Sequence, residues 1–86
     1  MKPVVNIKNW SFCNNNRLQG NVYGHPKFAD GDTVLTSRVQ KITDCGTYKI
    51  VETNNTNYKI MPDDVDKRYE ELYPNAYERA KIVVEG

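Results

Sequence analysis

Metal-ligating and redox residues are scarce in this sequence. Its 86 residues include one histidine and two cysteines. Cys13 and Cys45 lie far apart and form no C-x-x-C, so a four-ligand structural zinc site lacks its ligands. Both are expected as free thiols, and no metal or cofactor is expected. Long apolar runs are also missing, and nothing in the chain is long and apolar enough to span a bilayer as a helix. The opening "MKPVVNIKNW" lacks the extended apolar region of a secretory signal. A cytoplasmic location without a membrane partner follows as an expectation. There is no phosphate-cradling P-loop and no internal repeat.

What is present is the material of one small domain, residues 1–86. A chain this short buries only about 60–65% of its unfolded surface, so its core is small. Charge divides it in two. Residues 1–61 carry eight Lys/Arg and four Asp/Glu, a net +4; residues 62–86 carry four and seven, a net −3. The boundary falls at Pro62.

The first part, 1–61, reads as strands separated by turn signals. "PVVNIKNWSF" is β-branched and aromatic, and "CNNNR" breaks it. In "RLQGNVYG", Leu18 and Val22 share one parity and Arg17, Gln19 and Asn21 the other, which is a half-buried strand. Gly20 and Gly24 fall on the buried parity, where bending or a close backbone approach is expected. In "DTVLTSRVQKIT" the apolar parity slips, which calls for a bulge or sharp bend near Ser37–Gln40. "DCG" reads as a hairpin tip with Gly46 left-handed. "TYKIVET" and "YKIM" complete five short strands, with Trp10, Phe12, Tyr48 and Tyr58 as the aromatic core. Pro62 then opens a helix over "PDDVDKRYEELY", with acids in its first turn and Val65, Tyr69, Leu72 and Tyr73 as its stripe. Pro74 is expected to end or kink it, and "NAYERAKIVV" reads as another turn or two of helix or, at its end, as a strand. The expected fold is mainly β with a C-terminal helix. It is a small five-stranded antiparallel meander, closed into a partly open barrel of Src-homology-like or Sm-like architecture, with an acidic helical tail over 62–86.

The segment "NVYGHPKFADGDTVLTSRV" concentrates the chemistry. Pro26 holds His25 extended, and Asp30-Gly31 makes a turn. The structural account has His25 packing at a loop corner. The enzymatic alternative makes His25 a general base oriented by Asp30 or Asp32, with Ser37 as nucleophile. Spacing alone does not fix that geometry, and no catalytic residue is assigned.

Residues 18–37 carry L-x-G-x-V-x-G-H-P-x-F-x-D-G-x-x-V-x-T-S, about a quarter of the chain. This pattern resembles one in short proteins of phages and bacteria. The resemblance implies a phage or mobile-element origin and a protein that blocks host machinery or defence by binding, in the host cytoplasm. It brings no established activity.

Two surfaces compete as binding sites. Asp63, Asp64, Asp66, Glu70, Glu71, Tyr73 and Tyr77 form the first. Tyr69, Tyr73 and Tyr77 are spaced by four and would lie along one side of a continuous helix. Tyrosines among acids suit a protein partner with a basic surface. The second is the basic β half, where Arg17, Lys27, Arg38 and Lys41 lie among aromatics and could hold a nucleic acid or nucleotide. A net +4 is short of the footprint of a strongly basic nucleic-acid binder. The leading expectation is a non-enzymatic protein that binds a host protein.

Overall fold

Among the described residues, alternating apolar and polar positions produce six strands rather than five. The computed structural model describes residues 3–13 and 16–80. The strands are β1 (Val4–Cys13), β2 (Arg17–Tyr23), β3 (Thr33–Arg38), β4 (Lys41–Asp44), β5 (Lys49–Glu52) and β6 (Asn57–Ile60). They form one sheet in the order β3-β2-β1-β6-β5-β4. Neighbours are antiparallel except β1 and β6, which are parallel, with Val5 opposite Tyr58. The expected antiparallel meander is therefore corrected to a mixed sheet, because β6 returns to pair with the first strand.

The bend expected near Ser37–Gln40 divides β3 from β4. These two strands are opposite edges of the sheet, yet only Val39 and Gln40 separate them. Five steps between strands make a flat sheet about 24 Å across. Three Cα steps reach only about 11 Å. The sheet must therefore curl until its edges meet end to end. At the joint, the Val39 N–H donates to the Asn16 carbonyl at 2.6 Å and the Gln40 N–H to the Glu52 carbonyl at 2.7 Å. No ladder joins β3 to β4, so the sheet is curled but not closed into a barrel.

Val5, Ile7, Trp10, Leu18, Val22, Val34, Val51, Tyr58 and Ile60 fill the concave side. A bulge in β1 makes this possible. Lys8 pairs with Asn21 and Ser11 with Gln19, so two residues of β1 face one of β2. Asn9 takes a left-handed φ of 52°, which Asn tolerates better than most residues. The extra residue leaves Lys8 and Asn9 both outward and turns Trp10 inward. Gly20 lies against this bulge, where a Cβ would stand 2.7 Å from the Lys8 carbonyl oxygen. Gly24 is corrected off the buried side: it is exposed just past the end of β2, with a left-handed φ of 79° and open space around it. Tyr48 is corrected out of the core: Lys49 and Val51 point inward, and Tyr48 and Ile50 stay half-buried on the other side.

The tail begins with a 3-10 turn, Pro62–Asp64. Val65 makes a parallel bridge to Trp10, and the Asp66 N–H donates to the Trp10 carbonyl at 2.9 Å. The helix expected over 62–73 is shortened to α1 (Lys67–Leu72) behind the 3-10 turn, and the further helix expected as one option beyond Pro74 is α2 (Ala76–Arg79). Pro74 and a left-handed Asn75 separate them. The strand expected as the other option at its end falls on 81–86, outside the described residues. Ala76 and Ala80 are buried against the sheet.

Candidate functional site

Each densely functional stretch of the sequence takes a definite place. In the His25 loop, Nδ1 of His25 accepts the Lys27 N–H at 2.9 Å, so in the neutral ring the proton sits on Nε2. The ring is half-buried, edge-on to Phe28 at 4.7 Å and 6.3 Å from Tyr58. Asp30 accepts the Gly24 N–H at 2.8 Å and Asp32 the Ala29 N–H at 3.1 Å. Both carboxylates hold loop backbone. Ser37 is exposed on β3. Among the described residues no hydrogen bond links His25 to Asp30, Asp32 or Ser37.

The tail residues do not share one surface. Glu70 accepts the N–H groups of Asn75 at 2.8 Å and Ala76 at 3.1 Å, so it caps α2 from α1. Tyr77 turns toward the core, 6.4 Å from the Trp10 ring. Its hydroxyl is buried without a hydrogen-bond partner among the described residues. The Lys49 ammonium lies 4.5 Å from the Tyr77 ring centre. It donates to the carbonyls of Tyr77 at 2.6 Å and Ala80 at 2.9 Å, satisfying the C-terminal end of α2 as a cation should. Burial pushes the phenol pKa of Tyr77 up, and Asp44 adds to the shift. Burial also raises Tyr69 and Tyr58, opposed by a hydrogen bond with the Phe12 backbone and with the Thr56 side chain respectively. Asp66 and Asp64 are half-buried, while Asp63, Glu71, Leu72 and Tyr73 are exposed. Leu72, expected in the docking stripe, is 67% exposed, and Tyr73 is 52% exposed. The Tyr73 ring rests 5.1 Å from Tyr69.

The four basic residues expected on the β face are also dispersed. Arg17 and Arg38 are direct partners across β2 and β3. Lys27 lies in the His25 loop, and Lys41 sits on the other edge strand opposite Glu52. A different set converges instead. On the convex face, Tyr23, Asn6 and Lys59 form one row across β2, β1 and β6, with Lys8 two residues beyond Asn6. These residues line a groove of about 410 Å³ with Met61 and Asp64. The Lys8 ammonium stands 5.7 Å from the Tyr23 ring centre, and that of Lys59 stands 4.6 Å from the Tyr48 ring centre. Strand parity puts Lys8 and Tyr23 on the polar side, but only the parallel pairing of β1 with β6 brings Lys59 beside them. That pairing has no local signal in the sequence.

Among the described residues, no His, Cys, Asp and Glu group of three or more is placed to hold a metal ion. No helix there is long and apolar enough to cross a membrane. No protein-family model matches the chain, and neither a curated protein nor a solved structure matches it.

Proposed function

We propose that this chain is a non-enzymatic binding domain that acts by protein–protein contact through its C-terminal segment. The observation that carries this reading is the exposure of Leu72 and Tyr73 together at the end of α1, beside the exposed Glu71. An exposed leucine and tyrosine held on a short helix are suited to anchor a partner. Residues 62–80 hold six acids against three basic residues, which suits a partner with a basic surface. Asp63, Asp64, Asp66 and Glu71 steer the encounter. Glu70 and Tyr77 support the segment from within. The likeness of residues 18–37 to short phage and bacterial proteins supports a host protein as partner, met in the host cytoplasm and blocked there.

The test compares the wild type with Glu71→Lys and with the double variant Leu72→Ser/Tyr73→Ser against a partner recovered from bacterial lysate. Glu71→Lys should slow association, with an effect that shrinks as salt rises. The double variant should speed dissociation at an unchanged melting temperature. If both folded variants hold the partner with wild-type rates, the contact is not on the tail.

A further inference from the structure

The geometry points to a second binding site, independent of the tail: the convex groove over β1, β2 and β6 takes a single strand of nucleic acid. The side chains come from adjacent rows of one sheet face. Tyr23 lies across from Asn6, Asn6 across from Lys59, and Lys8 is one outward position along. Diagonal neighbours on a sheet have Cα atoms about 7–8 Å apart, so the two ammonium groups can reach one phosphodiester run. Tyr48 extends the row beyond Lys59, through its contact with that lysine. From β2 to β5 the face covers three strand spacings, roughly 14 Å. Two cations between two aromatic rings over that span are what a strand needs: phosphates on the lysines, bases on the rings.

The resting contacts explain how the surface is kept ready. Each lysine sits over its own tyrosine, and Lys8 at 5.7 Å is near the outer limit of a cation–π contact. A phosphate draws the ammonium off the ring, and the freed ring face accepts a base. Asn6, at the centre of the row and exposed, offers an amide to base edges. Asp64 lines the groove from the 3-10 turn and repels phosphate. The strand therefore runs over Lys8 and Lys59 and away from the 3-10 turn.

The experiment measures anisotropy of a fluorescein-labelled, mixed-sequence ten-nucleotide single strand with the whole chain across a salt series. Two phosphate contacts predict a log–log salt slope of about −1.4. Lys8→Gln/Lys59→Gln should weaken binding about tenfold or more and flatten that slope. Tyr23→Ala should weaken it about fivefold or more. Asp64→Asn should tighten it, a gain that a folding defect cannot imitate. Absence of binding at 50 mM salt would overturn the proposal. So would wild-type affinity in the lysine double variant, or loss of binding only on Arg17→Glu/Arg38→Glu. Equal affinity for a duplex or a lone mononucleotide would likewise defeat the single-strand assignment. The tail variants Leu72→Ser/Tyr73→Ser should bind the strand normally, which separates failure of this site from failure of the protein-binding reading.

Discussion

Tyr77 and Lys49 form a polar pair where the small core could least spare the space. Lys49 is only 4% exposed, and its charge is met by two carbonyls and a ring. The Tyr77 hydroxyl beneath it has no such compensation. A buried polar atom without a partner costs about 1–3 kcal/mol, so Tyr77→Phe should raise the melting temperature while keeping the ring under Lys49. Calorimetry of the two proteins checks this. The same phenol gives the molecule an alkaline limit. Tyr58, Tyr69 and Tyr77 all have pKa values raised above 10.0, chiefly by burial. Above that pH the unfolded chain releases protons that the folded chain retains. The contribution of these phenols to stability is therefore fully present below pH 10 and is lost as the pH rises through the folded-state values. Denaturant titrations from about pH 8 to pH 11 should show the fall beginning near the unfolded value, and Tyr77→Phe should make it shallower. An opposite slope would mean that these phenols are not buried.

At the scale of elements, the joints decide more than the elements themselves. α1 and α2 are each too short to be stable alone, and Glu70 links them through two backbone N–H groups. Glu70→Ala should cost about 1–3 kcal/mol and speed hydrogen exchange at Asn75 and Ala76, with Glu70→Gln intermediate. The bulge of β1 depends equally on Gly20. A Cβ there would meet both the Lys8 carbonyl and Ile7 Cγ1, at 2.7 and 2.8 Å, so Gly20→Ala should destabilise by about 1–3 kcal/mol. Chemical denaturation measures both. Some of these joints were legible in the sequence: the parity slip marks the Val39–Gln40 bend, but parity treated Gly20 and Gly24 alike, and only Gly20 meets another backbone closely. The inward turn of Trp10 was not, because a left-handed Asn9 looks like any other asparagine. The helix break was legible only in part. Pro74 announced it, but the reach of Glu70 across it depends on the fold of both segments. The binding surfaces were harder still, since spacing by four suggested that Tyr77 shared a face with Tyr73.

For the whole molecule, the two charged halves of the chain do not sort into two faces. The cations that converge are Lys8 and Lys59 on the convex groove, and the exposed apolar pair is at the end of α1. Asp64 belongs to both regions, lining the groove from the tail's first turn. The curl of the sheet holds this arrangement. Because two residues connect its opposite edges, the sheet cannot flatten without breaking the bonds from Val39 and Gln40 to Asn16 and Glu52. Apart from Asp64, which both regions share, charge substitutions in either region should therefore leave the other region's binding unaltered.

The position of β1 has a consequence for how the chain is made. Of the described strands it leaves the ribosome before the other five, yet it lies inside the sheet, and Val4 must wait for Asn57. At about 5–20 residues per second that interval is roughly 3–10 s. Throughout it, β1, β2 and β3 can form only a three-stranded sheet whose inner face, with Ile7, Trp10 and Val22, has no cover. One edge of β1 meanwhile stands open to any passing strand. A nascent chain stalled after residue 53 should be captured by chaperones and digested rapidly by protease, and one released after residue 80 should resist. Protection already present at residue 53 would show that β1 does not need β6. The strand that centres the finished sheet is, during synthesis, the one most in need of shelter.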